Sequence, residues 1–477
     1  MLFNSFEFLL YLPIVFILYW FVFKQLKWQN LLVVVASYIF YGWWDYRFLL
    51  LIAFTTICSF ISALWIVRLK DKGQPGISKF LTIANIAINL IILGVFKYFN
   101  FFTDSFAQLF YSLGVSIHPV TLKLVLPVGI SFYTFQALSY TIDVYRGKLD
   151  ATRDVVSFFA FISFFPQLVA GPIERATNLL PQFQRSRSFD YVKAVDGTKQ
   201  ILWGLFKKMV IADNCADIVD RIWLDYSQHS TLTLVLAAIL FSFQIYGDFS
   251  GYSDIAIGTA KLFGIKLMRN FNLPYFSRSI AEFWKRWHIS LNTWFVDYVY
   301  IPLGGSRVGK WKTMRNTFVI FFLSGLWHGA NWTYVTWGLY HAALFLPLVM
   351  FDNRKKYTDV VAQNSLVPSL RELVQVLSTF LFAAFGWIIF RANSLTEFWG
   401  YVTNMFSNYA ISESVQGKKV FIFIAVLVMI EWMNRRKEHA FAIDLKQRWL
   451  RWSLYLITAL LCLTEAGKQA QFIYFQF

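Results

Sequence analysis

Stretches without a single Asp, Glu, Lys or Arg recur along the whole chain. The longer ones cover residues 8–23, 48–67, 80–96, 124–142, 155–173, 231–247, 316–351 and 373–390. Shorter candidates cover 31–44, 420–430 and 452–464, together with a weaker one at 201–212 that contains two lysines. Because a helix needs roughly 17–25 mostly apolar residues to cross a bilayer, this pattern predicts an all-α polytopic membrane protein. We expect about eleven transmembrane or re-entrant helices from this count and the spanning length.

The polar stretches between these segments are short. The longest, 174–199 and 352–372, are too short for an independent domain. We therefore predict one integral membrane domain over residues 1–477, with its polar and glycine-rich motifs concentrated in 246–341. The first apolar stretch has no basic segment before it and no small-residue cleavage site before Lys24, so it is expected to remain as the first helix.

The composition agrees with lipid as the surrounding solvent. Of the 477 residues, 57% are hydrophobic, 20% are aromatic and only 15% are charged, whereas an average soluble domain has roughly 25% charged residues. One globular core cannot hide so much apolar surface, which excludes an ordinary soluble protein. The three cysteines lie far apart without CxxC or Cys/His spacing, so they are interpreted as packing residues.

The chain is strongly basic, with 44 Lys and Arg against 27 Asp and Glu and a formal net charge of +17. In a soluble protein this excess would favour nucleic-acid binding. Here the basic residues are scattered between apolar segments and form no continuous basic face. Short cytoplasmic loops and anionic head groups collect such residues in membrane proteins. We therefore predict membrane lipids as partners and no nucleic acid.

Two histidines lie within the long uncharged stretch 316–351. His328 follows Trp327 in the run Ser-Gly-Leu-Trp-His-Gly-Ala-Asn, which ends at Asn331. Ionisable groups at membrane depth are rare and costly, so each is a functional candidate, and a neutral imidazole there can accept a proton near pH 7. The alternative is an interior polar residue that bonds helices together, and we favour that structural role for His341. Asn331 is expected on the same helical face as His328 if the helix continues.

A second candidate site is the segment 279–297. It begins with the Ser-x-x-Glu of a capping box at Ser279, and its apolar residues keep i, i+3, i+4 spacing. This pattern predicts one amphipathic helix with His288 at the edge of the apolar face. Lys285 and Arg286 are expected away from that face, where phosphates or lipid head groups are available. The alternative is a helix that lies at the membrane interface with snorkelling basic residues.

Two acids and two glycines interrupt an apolar segment in the run Tyr-Gly-Asp-Phe-Ser-Gly-Tyr-Ser-Asp at 246–254. This run predicts a helix break that is packed inside the bundle. We expect Asp248 and Asp254 to bond or pair with the region of Lys285 and Arg286 as a structural clamp. A proton relay is the less favoured alternative.

An irregular turn is predicted at 298–305, where Pro302 removes a backbone donor and two glycines permit non-helical backbone. Four basic residues and no acid follow by residue 315. By the positive-inside rule this places the turn on the cytoplasmic side. The turn is either a docking site for a cytosolic polyanion, such as a coenzyme or carrier phosphate, or a solvated loop.

Four of these segments together resemble the membrane-bound O-acyltransferase family. They are GDFSGYSD at 247–254, FWKRWHISL at 283–291, DYVYIPLGG at 297–305 and LWHGA at 326–330. Runs at 2–9, 41–44, 126–136 and 164–173 extend the resemblance, and the whole chain is similar to the alginate-type bacterial subgroup. The resemblance implies a multi-helix ring around a central chamber that joins the two membrane faces. The acyl thioester would enter this chamber from the cytosol and the acceptor from the opposite side.

The resemblance also implies roles for the two histidines. The near-invariant catalytic histidine of the family matches His328, and its polar partner matches His288. A neutral His328 is expected to act as general base on an acceptor hydroxyl that attacks the thioester carbonyl, while His288 orients substrate or stabilises the oxyanion. Direct transfer and a covalent acyl-enzyme, with His328 itself as nucleophile, both stay open. The candidate substrate-binding residues are Asn331, Trp327, Lys285, Arg286, Asp248 and Asp254.

By this resemblance the protein is a bacterial inner-membrane O-acyltransferase that modifies an extracytoplasmic polysaccharide or cell-wall glycan. The expected acyl group is acetyl, from acetyl-coenzyme A or a carrier-protein thioester, and the expected partner is a separate periplasmic transferase. No tightly bound cofactor and no metal is expected, because the six histidines lack ligand spacing. The alternatives are a transporter or flippase of the acyl donor or of a lipid-linked glycan, and a scaffold for a periplasmic enzyme. Transport is disfavoured because the sequence has no visible P-loop or internal repeat.

Overall fold

The structure is a computed structural model that describes residues 1–352, 354, 356–409, 417–443 and 445–473. Over these residues it consists of α-helices joined by turns and short 3-10 or π-helical segments, without a β-strand. The helices are α1 (Phe6–Ile17), α2 (Leu26–Gly42), α3 (Leu49–Asp71), α4 (Pro75–Leu93), α5 (Phe99–Ser112), α6 (Ile130–Tyr145), α7 (Val155–Ser163), α8 (Phe165–Leu168), α9 (Ala176–Phe183), α10 (Tyr191–Leu205), α11 (Asp213–Leu224), α12 (Thr231–Leu262), α13 (Ile280–Arg286), α14 (Ile289–Phe295), α15 (Lys310–His328), α16 (Trp332–Met350), α17 (Leu370–Arg391), α18 (Leu395–Ser407), α19 (Lys418–Met433) and α20 (Arg448–Thr464). The prediction of an all-α protein is confirmed.

Several helices present apolar side chains to the outside of the protein. Leu50 is 80% exposed, Phe80 71% and Leu381 60%, an arrangement that is stable only when lipid replaces water around the helices. Among the described residues, five helices are long and apolar enough to cross a membrane: Tyr46–Asp71, Pro75–Ser112, Thr231–Leu262, Trp332–Met350 and Leu370–Arg391. The chain is therefore a multi-pass membrane protein. The figure of about eleven spanning or re-entrant helices, from the spanning length, stays a prediction.

The chain divides into two compact units, and the first comprises Met1–Ala194 and Ala260–Met268. Buried polar side chains tie its helices together. The side-chain amide of Asn30 donates to the carbonyl oxygen of Phe183 at 2.7 Å and to the hydroxyl of Ser157 at 3.1 Å. Such bonds matter in a lipid-surrounded bundle, because lipid tails leave little hydrophobic driving force between helices.

Two of the long uncharged stretches are divided in the structure. The stretch 155–173 leaves helical geometry at Phe164, with φ −50° and ψ 108°, and Pro166 follows in the first turn of α8. The stretch 316–351 is interrupted at residues 329–331, between α15 and α16. Glycine and proline permit or impose such breaks, so the absence of charge predicts the apolar environment and not the length of one helix.

The second unit comprises Val195–Thr259 and Arg269–Phe477, and it contains every residue that the sequence predicts for the site. The predicted break in the run 246–254 is wrong, because α12 continues without interruption from Thr231 to Leu262. Its glycines serve helix packing: a Cβ on Gly251 would lie 2.7 Å from the carbonyl oxygen of Gly204. The prediction of a single domain over the whole chain stays a prediction.

Candidate functional site

The structure brings His288 and His328 together in the second unit. Their imidazole centroids lie 6.3 Å apart, and the two residues are only 1% and 3% exposed. Trp327 lies against both rings, with its centroid 5.0 Å from that of His328 and 5.6 Å from that of His288. Three of the predicted site residues, which come from two separate sequence motifs, therefore form one buried cluster.

His288 lies at a helix break that the sequence pattern did not predict. The expected single amphipathic helix is wrong: α13 ends at Arg286, α14 begins at Ile289, and His288 between them has a left-handed φ of 45°. Two hydrogen bonds hold the break, because the side-chain amide of Asn292 donates to the carbonyl oxygens of Trp284 at 2.7 Å and Trp287 at 2.6 Å. These bonds satisfy carbonyls that the end of α13 leaves without helical partners.

Asn270 lies beside His288 and was not predicted from the sequence. Its side-chain Oδ1 lies 3.1 Å from Nδ1 of His288, and its backbone carbonyl accepts from Ile289 N–H at 2.9 Å. Asn270 belongs to the polypeptide between α12 and α13, about which apolar periodicity says nothing. The signal that could have found Asn270 is its position in the sequence. It is a polar residue between the motifs at 247–254 and 283–291, in a chain rich in apolar residues.

His328 is the last residue of α15 and is surrounded by aromatic rings. The centroid of Trp337 lies 5.0 Å from its ring and that of Phe390 5.4 Å, both in edge-on arrangements. These rings enclose the imidazole and limit the access of water to it.

His341 lies behind Trp337 and away from the His288–His328 pair. It is fully buried, with Trp284 at 4.9 Å and Trp337 at 5.1 Å between ring centroids. Within the described part of the chain, neither of its ring nitrogens has a hydrogen-bond partner. Its contacts are with aromatic rings, so the role favoured from the sequence, a polar residue that bonds helices together, stays a prediction.

Asp248 and Asp254 pair with lysines of the π-helical segment Phe206–Ala212 and not with the region of Lys285 and Arg286. Nζ of Lys208 lies 2.7 Å from Oδ1 of Asp248, and Nζ of Lys207 lies 2.5 Å from Oδ2 of Asp254. The expected clamp between these acids and the region of α13 is therefore wrong. Two lysines and two acids in otherwise apolar stretches were the signal for this pairing, because a buried charge requires an opposite charge nearby.

Lys285 and Arg286 occupy different environments. Lys285 is exposed and its ammonium donates to the carbonyl oxygen of Arg354 at 3.0 Å. Arg286 is only 9% exposed and its guanidinium lies 2.8 Å from the Glu282 carboxylate, so the expectation that it lies away from the buried side is wrong. Ser279 caps α13 as predicted, accepting from Glu282 N–H at 3.2 Å.

The predicted capping box at Ser279 is not closed. Oε2 of Glu282 accepts from the backbone N–H of Arg278 at 2.8 Å and from its Nε at 3.2 Å, and Oε1 accepts from the Arg286 guanidinium at 2.8 Å. The carboxylate therefore serves two basic residues, which form a stronger, charge-assisted set of bonds than the single backbone donor of the cap.

Asn331 caps the helix that follows His328. Because α15 ends at His328, Asn331 does not continue its helical face; it is the N-cap of α16 and accepts from Thr333 N–H at 3.1 Å. Its amide also donates to the carbonyl oxygen of Asn393 at 2.8 Å. The helix does not continue from His328 to Asn331, since the chain leaves helical geometry at Gly329, where φ is −169°. The expectation that the two residues share a helical face is therefore wrong.

Asn270 also lines a small polar cavity. It has a volume of about 20 Å³ and is lined by charged side chains that include Lys207, Asp254, Arg269 and Glu431. This is room for about one water molecule. Within the described residues, no group of three His, Cys, Asp or Glu side chains is placed to bind a metal ion.

The chemistry available at the site is acid–base chemistry by two imidazoles in an apolar enclosure. Burial lowers the pKa of His288, which lies outside the five apolar spans, to about 3, so this imidazole is neutral at physiological pH. A neutral imidazole accepts a hydrogen bond at one nitrogen and donates at the other. A pair of them can bind a hydroxyl group and take its proton.

Comparison with known proteins identifies the family of the chain. A model of the membrane-bound O-acyltransferase family matches residues 149–371. The chain is 40% identical over 433 residues to a probable alginate O-acetylase of Azotobacter vinelandii, with 90% of this chain and 83% of that protein covered. It is 34% identical over 426 residues to a peptidoglycan O-acetyltransferase of Helicobacter pylori, covering 83% and 78%. A teichoic acid D-alanyltransferase of Bacillus subtilis is 31% identical over 277 residues, covering 55% and 68%.

Proposed function

Because the chain belongs to the membrane-bound O-acyltransferase family, we propose that it transfers an acetyl group from a cytosolic thioester to a hydroxyl group on the way to an extracytoplasmic glycan. The chain is an acyltransferase that acts on polysaccharide or cell-wall glycans, since its relatives are named for alginate, peptidoglycan and teichoic acid. We choose acetyl because the alginate relative covers more of the chain, at higher identity, than the D-alanyl relative.

The observation that carries the proposal is the buried pair of His288 and His328, with centroids 6.3 Å apart. An acceptor placed between two rings at this separation can bring a hydroxyl group within hydrogen-bond distance of each ring, since hydrogen bonds to oxygen span about 2.7–3.2 Å. The aromatic walls around His328 exclude water, which strengthens electrostatic interactions at the reacting group and prevents hydrolysis of the thioester.

In the proposed reaction His328 is the general base. As the acceptor oxygen attacks the thioester carbonyl carbon, its proton passes to the neutral His328 imidazole. The new carbon–oxygen bond forms, the carbon–sulfur bond breaks, and the departing thiolate takes the proton back from the imidazolium. The enzyme therefore ends in its starting protonation state, and the products are the acyl ester and the free thiol. General base catalysis of this kind contributes typically about 10²–10⁴-fold to the rate.

The thioester donor is acetyl-coenzyme A or an acetylated carrier protein, approaching from the cytosol, and no tightly bound cofactor takes part. The basic residues that follow the turn 298–305 support a cytosolic position for that turn. We place the protein in the bacterial inner membrane. A separate periplasmic transferase completes delivery to the polymer, since the polar stretches of this chain are too short to form an independent domain.

Release of free coenzyme A tests the proposal. Purified protein in lipid nanodiscs is incubated with acetyl-coenzyme A and a short alginate or peptidoglycan fragment, and thiol release and ester formation are both measured. Native protein is expected to turn over and His328→Ala to lose turnover. His118→Ala is the matched control, because His118 is an exposed loop residue and its loss leaves the site unchanged.

Two outcomes contradict the proposal. In the first, His328→Ala is folded and releases coenzyme A at the native rate. In the second, native protein releases none from acetyl-coenzyme A or an acetylated carrier, while His328→Ala and His288→Ala both complement normally in cells, which would favour the scaffold interpretation. Equal exchange of labelled acetyl-coenzyme A across sealed vesicles without ester formation would favour transport.

A further inference from the structure

Asn270 makes an unusual number of contacts with the turn that carries His288. Asn270 is fully buried, and its Oδ1 is shared by three donors. The distances from Oδ1 are 3.1 Å to Nδ1 of His288, 3.3 Å to the backbone nitrogen of Ser290 and 2.9 Å to the Ser290 hydroxyl. Its backbone carbonyl also accepts from Ile289 N–H at 2.9 Å. One asparagine is therefore bonded to three consecutive residues, beginning with His288.

These contacts determine which way the Asn270 amide faces. The backbone N–H of Ser290 can only donate, so the atom opposite it must be the amide oxygen and not the amide nitrogen. The amide nitrogen is directed to the other side, where it donates to the Ser253 hydroxyl at 3.3 Å. The same oxygen therefore faces Nδ1 of His288.

The orientation of the amide in turn determines the tautomer of His288. An amide oxygen only accepts, so Nδ1 of the neutral imidazole must carry the proton. In this tautomer Nε2 carries the lone pair and acts as an acceptor. A neutral His288 held this way can receive a hydrogen bond from a hydroxyl group, and it cannot donate one from Nε2 to an oxyanion.

We propose that Asn270 is the positioning residue of His288: by accepting the hydrogen bond of Nδ1–H it makes Nε2 an acceptor, so that His288 positions the glycan acceptor and does not stabilise the oxyanion. This rests on the proposed function, in which His288 contributes to acyl transfer, and it decides between the two roles that the sequence left open. The reacting hydroxyl has a single proton, which goes to His328, while Nε2 of His288 accepts the hydrogen bond of a second hydroxyl group of the same acceptor.

The backbone supports the same role. His288 has a left-handed φ of 45°, a conformation that a residue other than glycine adopts only when its surroundings impose it. The backbone N–H groups of Ile289 and Ser290, on the C-terminal side of this turn, both donate hydrogen bonds to Asn270. Strained backbone of this kind clusters at functional sites, where it aims a side chain.

The tautomer is measured by nitrogen NMR on protein labelled with ¹⁵N-histidine in nanodiscs. The His288 signal is assigned by its loss in His288→Ala. Native protein is expected to show a neutral ring protonated at Nδ1. Asn270→Leu is expected to lose that preference and show a mixture or the opposite tautomer, whereas Asn270→Asp, which keeps an oxygen acceptor, is expected to keep the Nδ1 proton. A native ring protonated at Nε2 overturns the proposal.

Kinetics provide the second readout. Asn270→Leu is expected to lower kcat at least about 10-fold with little change in the KM for the thioester, because the acceptor hydroxyl and not the donor is misplaced. Asn270→Asp is expected to recover part of this loss. An unchanged kcat in folded Asn270→Leu overturns the proposal.

Asn292→Ala is the matched control. Asn292 holds the same turn through the carbonyl oxygens of Trp284 and Trp287. This variant is expected to lose stability but to keep the native tautomer in its folded fraction. If Asn292→Ala and Asn270→Leu change the tautomer and kcat alike, Asn270 is a structural residue of the turn and the proposal fails. Failure of the proposed function can be told apart from failure of this proposal. In that case His328→Ala would release coenzyme A at the native rate, whatever the tautomer of His288.

Discussion

Nζ of Lys207 lies 2.5 Å from Oδ2 of Asp254, and the two side chains are 3% and 17% exposed. This pair joins the helical segment 206–212 to α12, and it explains why an acid within an apolar helix does not break that helix. The structure thus supplies a structural explanation for Asp254, which the sequence also nominated for substrate binding.

We expect Asp254→Leu to destabilise the protein by about 3–5 kcal/mol, because it removes the carboxylate that pairs with the buried Lys207 ammonium. The double variant Lys207→Met/Asp254→Leu is expected to recover most of that stability, since apolar replacement of a buried ion pair is often neutral. Thermal unfolding in nanodiscs measures both. A double variant that regains stability but not turnover would assign Asp254 a part in substrate binding.

Stability is expected to require glycine at residue 386, because any side chain there would collide with His341. A Cβ at residue 386 would lie 2.7 Å from Nε2 of His341 and 3.2 Å from a ring carbon of Tyr340. Since Trp284 and Trp337 enclose the His341 ring, it has little room to move, and we expect Gly386→Ala to lower stability by about 1–3 kcal/mol. Gly94→Ala is the control, because no atom outside its own helical turn and chain neighbours lies within 4 Å of its Cβ position. Equal Tm values for the two variants would contradict this account of His341.

Asn331 is expected to act by capping α16. Removal of an N-cap costs about 1 kcal/mol, so Asn331→Ala is expected to lower the Tm slightly, and Asn331→Ser, which keeps the acceptor for Thr333 N–H, is expected to restore it. If capping is the whole role, turnover per folded molecule stays native in both variants. If Asn331→Ser restores the Tm but not turnover, the amide contacts substrate, as the sequence suggested.

The sequence predicted the lipid environment and the two site histidines better than it predicted where helices break and which charged side chains pair. Apolar stretches indicate lipid contact because burial depends on composition, and the histidines stand out because imidazoles are costly in apolar surroundings. The break at His288 was missed because it depends on hydrogen bonds to Asn270 and Asn292, two residues that apolar periodicity does not mark. The pairing of α12 acids with Lys207 and Lys208 was missed because it joins helices that are distant in the chain.

Glu174 is expected to make stability depend on pH. Burial raises the pKa of this carboxyl to about 7, although it accepts from Met268 N–H and from the Asn178 amide at 2.6 Å. Since the folded-state pKa lies above the unfolded value of about 4.3, the folded protein binds the proton more tightly. The stabilisation that Glu174 provides is complete below about pH 4. It is lost as the pH rises to about 7, and above that pH this carboxyl no longer changes the free energy of unfolding.

The loss over this range is about 4 kcal/mol, since one pKa unit corresponds to about 1.4 kcal/mol. Glu174→Gln, which is neutral at every pH, is expected to lack this part of the pH dependence. The Tm of native and variant protein is measured from pH 4.5 to 8. Parallel curves would show that Glu174 is ionised throughout the range and that its pKa is not raised.

The two site histidines are expected to act as one unit. His328→Ala removes the proposed base and is expected to lower kcat by about 10²–10⁴-fold, whereas His288→Ala removes a hydrogen bond that positions the acceptor and is expected to cost less. Because both imidazoles serve the same acceptor molecule, the double variant should be little slower than His328→Ala alone. Once the base is absent, correct placement of the acceptor gains little. Coenzyme A release by the four proteins, each checked for folding, measures this coupling. Losses that multiply fully would mean that His288 does not act on the acceptor that His328 deprotonates.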